Sequence, residues 1–183
     1  MKCDAENSVL LVIDVQKKLT SVMPNKVMER LINNSRLLIK TASLLAIPVI
    51  ATRQYPKGLG PIEEEIAETL GNNTLEYDKT CFSCAGVREL MDALEKSGRK
   101  QVIITGIEAH ICIMQTALDL KEKNYDVFVV TDAIASRQRE NYENAIHRLI
   151  QSGITCINSE SVLFEWLQDA SHRAFKTVST MVR

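Results

Sequence analysis

The stretch 105–120, TGIEAHICIMQTALDL, begins as the end of an apolar strand, passes through Gly106 and a short turn, and finishes as an amphipathic helix with Cys112 at its start. A thiol there has three readings: chance, a small buried hydrophobe, or a nucleophile. A free cysteine, with a pKa near ~8.5, is mostly protonated at neutral pH, and a helix N-terminus or a nearby cation lowers that value. A carboxylate within reach of the sulfur can take its proton and return it to a leaving amine. The amides around 108–112, exposed at a helix start, can hold an oxyanion. The chemistry implied is acyl transfer to water through a thioester.

Which residues could join Cys112 depends on the elements that carry them. Short apolar runs at 8–14, 47–53, 74–79, 101–106, 126–132 and 154–159 alternate with helical patterns near 26–45, 84–97, 111–123, 140–151 and 160–168, and a shorter helix fits 61–69. Most runs are rich in Val and Ile and nearly continuous, as strands buried on both faces are; 74–79, TLEYDK, carries the weakest signal. In the first long helix Leu31, Leu38 and Leu45 recur every seven residues beside Ile32 and Ile39, and Gly98 and Gly153 mark helix exits. The β-α alternation predicts an α/β, three-layer, doubly wound, mostly parallel six-stranded sheet of Rossmann-like order 3-2-1-4-5-6, in a single domain spanning 1–183.

Ligands of such sheets bind beyond the carboxyl ends of the strands, where strand order reverses. The polar residues at those ends are Asp14, then Thr52, Arg53, Gln54 and Tyr55, then Asp78 and Lys79, then Glu108, His110 and Cys112, and finally Thr131 and Asp132. In the predicted order Asp14 and Cys112 face each other from neighbouring strands. Lys79 starts two strands from Asp14, roughly 10 Å away, and reaches it only by leaning over the second strand. Such a lysine would supply the cation that lowers the thiol. Taken alone, Asp14 reads as readily as a cap or turn residue, and Lys79 as a solvated lysine. Thr52, Arg53, Gln54, Tyr55 and His110 are candidate substrate contacts, with a packing or capping role equally open for His110. Asp132 is expected to brace the exit of the fifth strand. The Pro- and Gly-containing loop 53–65 is a candidate pocket rim.

Composition narrows the partners. With 22 Lys+Arg against 23 Asp+Glu the net charge is −1, which argues against nucleic acid or an anionic membrane as an obligatory partner. Five cysteines, an odd number, do not form a disulfide framework and suit a reducing compartment. No segment is apolar enough to span a bilayer, the start MKCDAENSVLLVID lacks signal- or transit-peptide character, and the C-terminal STMVR lacks a lipidation or peroxisomal signal. The expectation is a cytoplasmic protein acting on a small molecule, with an organellar location left open.

The segments LLVIDVQKKL, RQYPKGLGP, YDKTCFSC, TGIEAHICIMQTALDL and VFVVTDAIASR, in that order, resemble the isochorismatase-like cysteine hydrolases, a family that includes nicotinamidases and N-carbamoyl amidases. The likeness covers nearly the whole chain. It implies Asp14 as general base, Lys79 as its supporting lysine, Cys112 as nucleophile, and a cis peptide between Ile107 and Glu108 that aims the amides of Glu108 and Cys112 into an oxyanion hole. It also implies a homo-oligomer, for which the segment SVLFEWLQDA offers apolar surface. Nicotinamidases carry a metal on an Asp-x-His and further histidines after the second strand, whereas TRQYPKGLG has none and the only histidines, His110, His147 and His172, are scattered. No metal and no cofactor are therefore expected. The QYPKGLG loop resembles the subgroup of undefined substrate. Isochorismate-cleaving members generally lack the cysteine, so that reaction does not fit either.

Other chemistries weigh less. Cys3, Cys81, Cys84 and Cys156 read as structural, since CFSC lacks a second pair for zinc. A cysteine phosphatase needs Arg six residues after the cysteine, where Leu118 stands. A dinucleotide oxidoreductase needs a Gly-x-Gly-x-x-Gly after the first strand, which runs instead into IDVQKK. A non-enzymatic member that keeps the fold as a binding or scaffold protein is the alternative from another class.

Overall fold

The computed structural model describes residues 1–182; the last residue of STMVR lies outside them. Six parallel strands, β1 (Ser8–Ile13), β2 (Val49–Gln54), β3 (Leu75–Lys79), β4 (Gln101–Ile107), β5 (Asp126–Ala135) and β6 (Thr155–Ile157), form one sheet in the order β3-β2-β1-β4-β5-β6. Strand side chains alternate between two buried layers. Leu10, Val12, Ile103, Phe128 and Val130 pack on one face, and Val9, Leu11, Ile13, Val102, Ile104, Val127 and Val129 on the other. That is why the runs read as continuous rather than alternating.

The helices are α1 (Lys17–Thr20), α2 (Asn25–Leu44), α3 (Pro56–Leu59), α4 (Glu64–Thr69), α5 (Arg88–Lys96), α6 (Met114–Glu122), α7 (Arg139–Gln151), α8 (Ser159–Leu167) and α9 (Phe175–Met181). The first face is covered by α2, α4, α8 and α9, the second by α5, α6 and α7. Gly98 and Gly153 take left-handed conformations at the ends of α5 and α7, as helix exits into strands require. No helix among the described residues is long and apolar enough to cross a membrane.

Several expectations are corrected. The helix anticipated at 84–97 opens with a separate 3₁₀ turn, Cys84–Gly86, before α5. The loop 53–65 folds into α3 and the approach to α4, and α9 had no counterpart in the reading of the sequence. Strand β5 runs three residues past Asp132, because its register against β4 breaks between Ile104 and Gly106. Asp132 therefore braces α8 rather than a strand exit: its two oxygens accept from the backbone N–H and hydroxyl of Ser159, each at 2.8 Å. The apolar surface expected on SVLFEWLQDA is mostly inside, with Val162, Leu163, Trp166 and Leu167 buried and Phe164 turned outward.

One contact sets the spacing of the two central strands. Gly106 has φ +127°, and a Cβ there would lie 2.0 Å from the carbonyl oxygen of Ile13, the residue before Asp14. Only a bare Cα lets β4 come this close to β1 at the switch point. Gly106→Ala is expected to lower stability by about 3 kcal/mol or more, read as a fall in the urea midpoint followed by circular dichroism.

Candidate active site

The chain leaves β1 through Asp14, at φ +53°, a left-handed conformation that Asp tolerates better than most residues. The Asp14 amide donates to the Thr52 carbonyl of β2 (3.1 Å), and its own carbonyl accepts from Gln16 N–H (2.8 Å). These bonds fix the carboxylate over the strand ends. Thr52 Oγ1 donates to Asp14 Oδ1 at 2.7 Å.

Lys79 ends the edge strand β3, in register with Gln54 of β2. It is the only buried position of that strand. Its side chain leans across β2 and brings Nζ within 2.7 Å of Asp14 Oδ2. The ammonium also donates to Gln54 Oε1 (2.6 Å) and to the carbonyls of Phe82 (2.9 Å) and Cys81 (3.3 Å). Both side chains of the Asp14–Lys79 pair are fully buried. Burial by itself would lower the Lys79 ammonium, but the charge of Asp14, with lesser contributions from Cys84 and Cys112, prevails and raises it.

After β4 the peptide between Ile107 and Glu108 is cis, and the chain enters a π-helical turn, Ala109–Ile113, before α6. Cys112 lies in this turn, 6% exposed. The carbonyl of Glu108 accepts from Ile111 and Ile113, and its carboxylate, Oε2, accepts from the backbone N–H (3.0 Å) and Nε (3.2 Å) of Arg137, just past β5. His110 Nδ1 lies 2.9 Å from Ser136 Oγ. The turn is thus tied to the end of β5 at two points.

The thiol is not lowered, as its position and the nearby lysine led one to expect. Burial pushes Cys112 up to about 12, and the charge of Asp14 adds to this, while Lys79 opposes it. Desolvation of the anion outweighs the cation here. The resting group is a protonated thiol under the influence of a carboxylate.

Asp14, Lys79 and Cys112 therefore come together from β1, β3 and the turn after β4. Thr52 and Gln54 are buried and turned onto Asp14 and Lys79. Arg53, on the opposite face of β2, pairs with Asp78 (2.7 Å) and lies 3.9 Å from Glu76. Tyr55 is 55% exposed at the start of α3, and His110 is half-buried in the turn.

Sequence reasoning missed three supports. Gln16, two residues after Asp14, accepts from Gln54 N–H (2.6 Å) and donates to the carbonyls of Gln54 (3.1 Å) and Gly60 (2.7 Å), pinning loop 53–65 to the β1 exit. The segment CFS supplies backbone oxygens to Lys79. Cys84, fully buried, lies 3.9 Å from Thr52 Oγ1 and is itself pushed up to about 12, chiefly by burial. The one available signal was proximity in sequence to Asp14 and Lys79. Among the described residues no three His, Cys, Asp or Glu side chains are grouped so as to hold a metal ion.

Residues 8–161 match the Isochorismatase domain. Isochorismatase domain-containing protein 2 of Danio rerio is 37% identical over 99% of this chain and 89% of its own length. The structure described as MAR1 ribonuclease from Caenorhabditis elegans superposes with a TM-score of 0.93 at 37% identity, over 100% of this chain and 92% of that one. The YcaC gene product of Escherichia coli, described as an octameric hydrolase of unknown specificity, superposes with a TM-score of 0.89 at 24% identity, over 99% and 89% of the two chains.

Two expectations follow from this geometry. Removing the cation alone, Lys79→Met, leaves a buried carboxylate unpaired and should cost about 3–5 kcal/mol. The double variant Asp14→Asn/Lys79→Met should lie closer to wild type than the sum of the two single changes, as urea unfolding would show. The second concerns pH. In the unfolded chain Cys84 and Cys112 lose protons around their ordinary value of 9.0, in the folded chain around 12. Above pH 9 the unfolded state then binds fewer protons, so stability should fall between about pH 9 and 12, with Lys79 acting in the same direction. A Cys84→Ser/Cys112→Ser variant should show a shallower fall in the urea midpoint over that range.

Proposed function

The chain belongs to the isochorismatase family, and on that premise we propose that it is a cysteine hydrolase, needing no metal, that cuts a C–N bond of a small amide-type substrate through a thioester. The observation that carries this reading is the convergence of one carboxylate, one ammonium and one thiol. Lys79 Nζ sits 2.7 Å from Asp14 Oδ2, and the charges of both Asp14 and Lys79 act on the Cys112 thiol.

In the proposed cycle Asp14 takes the Cys112 proton as the sulfur attacks the substrate carbonyl carbon. The oxyanion that forms is held by the amides of Glu108 and Cys112. As the intermediate collapses, the C–N bond breaks and protonated Asp14 gives its proton to the leaving nitrogen, so an amine departs and a thioester remains. Water then attacks the thioester while Asp14 takes one of its protons. The C–S bond breaks, that proton returns to the sulfur, and a carboxylic acid leaves. Lys79 keeps the carboxylate in place and balances its charge at every step. Thr52 and Gln54, placed by sequence reasoning in the substrate pocket, act in this reading as positioning residues for Asp14 and Lys79. The lack of histidine in loop 53–65 speaks against a nicotinamidase-type metal site.

A small substrate is favoured by burial. Cys112 is 6% exposed, and Asp14 is fully enclosed, so the reacting group must enter a narrow space. The ribonuclease description of the C. elegans relative favours RNA cleavage as a second reading. The two separate on one variant: Cys112→Ala should abolish amide hydrolysis, whereas phosphodiester cleavage by activation of a ribose hydroxyl needs no sulfur.

The direct test follows the sulfur. Exposed Cys81 should label readily with iodoacetamide. In Asp14→Asn the charge that holds the thiol up is gone while Lys79 remains, so Cys112 labelling at neutral pH, followed by peptide mass spectrometry, should speed up with Cys81 unchanged. Hydrolysis of small amides by the same variant should fall by roughly 10²–10⁴, because the leaving nitrogen loses its proton donor. Undiminished hydrolysis would remove Asp14 as the acid–base group, and unchanged Cys112 labelling would separate the sulfur from it.

A further inference from the structure

Beyond the end of β5, on the side of the Cys112 turn away from Lys79, lies a cleft of about 460 Å³, within the size range of small-molecule sites. It opens above the strand exits between the first turns of α2 and α7. Its walls are apolar: Pro24 and Val27 on α2, Ala135 at the end of β5, and the ring of Tyr142 on α7. Tyr142 spends its hydroxyl on the Thr131 carbonyl at 2.9 Å, so its ring faces the cleft without a free donor.

The rim is cationic. Arg30, Arg137 and Arg139 all line the cleft, against a single lining carboxylate, Glu143. Glu143 is held by Arg139 at 2.6 Å, and Arg137 reaches back to Glu108. Arg30 forms no ion pair among the described residues. Two carboxylates thus answer three guanidinium groups, and the charge left over stands at the edge of an apolar trough.

Two of the residues lining this cleft are bonded to the turn that carries the proposed nucleophile. Ser136 meets His110, and Arg137 meets Glu108. The cleft and the Cys112 turn thus share the residues just past β5.

We propose that this cleft is the specificity subsite of the same active site, and that the substrate is an amphipathic amide whose apolar body lies between Val27 and Tyr142 and ends in an anionic group at Arg30. Carboxylate and phosphate share the chemistry a guanidinium recognises, paired parallel N–H donors with a full charge. The proposal rests on the cysteine-hydrolase reading for the reacting end alone.

The test uses the full chain and product-like probes. Titration calorimetry with octanoate, octyl phosphate and octanol should give binding of at least one anion, with octanol about tenfold weaker or more. Arg30→Ala should weaken that binding by a similar factor, Arg30→Glu should abolish it, and the exposed position of Arg30 spares the fold. Saturating anion should also slow iodoacetamide labelling of Cys112 without changing Cys81. Equal affinity for octanol, indifference to Arg30→Ala, or an unprotected Cys112 would each overturn the assignment. If the anion binds through Arg30 and shields Cys112 while Cys112→Ala keeps full amide hydrolysis, the subsite stands and the thioester reading falls.

Discussion

The structure turns on one ion pair removed from water. Asp14 and Lys79 are both fully buried, and each would be costly to hold there alone, by several kcal/mol. Their mutual attraction does not offset that cost without further partners. The site supplies them: Thr52 donates to the second oxygen of Asp14, and four oxygens lie within 3.3 Å of the three-proton ammonium. Even so, apolar residues of similar size often serve stability as well as a buried pair does. The arrangement is better understood as a means of orienting a carboxylate away from bulk solvent.

Much of the fold can be seen as what that pair demands. Asp14 and Lys79 leave strands two apart, so β2 must lie between them, and the residues facing up from its end must be polar. Thr52 and Gln54 meet that need, and their neighbour Arg53, pointing the other way, is free to pair with Asp78 on the surface. The ammonium also needs carbonyls from above, which requires the chain after β3 to fold back over Lys79 before α5 begins. Gln16 closes the other side by holding loop 53–65 down. Gly106 lets β4 approach β1 closely enough for the Cys112 turn to reach the same space.

The sequence was informative where periodicity and position carry the physics. Continuous apolar strands announced a two-sided sheet, and the order 3-2-1-4-5-6 placed Asp14 opposite Cys112. The edge strand was faint because four of its five residues are exposed or half-exposed and Lys79 alone is buried. The long reach of Lys79 was the step spacing left open, and register with Gln54 resolves it. Thr52 and Gln54 were assigned to substrate because residue type cannot tell whether a polar side chain faces a cavity or a charged neighbour. The inward packing of α8 was equally hidden, since an apolar stripe does not say which surface covers it. The bonds from Arg137 and Ser136 to the Cys112 turn depend on how far β5 runs past its register break, which no local pattern encodes.

A thiol held up near 12 is compatible with nucleophilic chemistry once charge is counted over the whole site. At rest there is one carboxylate, one ammonium and a neutral sulfur. Losing the thiol proton to solvent would place two anions beside one cation in a low-dielectric space, and that is the change the raised value opposes. Passing the proton to Asp14 leaves one anion and one cation, as before. In the proposed cycle the negative charge moves from Asp14 to the sulfur, then to the substrate oxyanion, and back, and Lys79 faces one anion throughout. The same burial that makes the free thiolate costly therefore opposes its formation until proton transfer and attack can occur together.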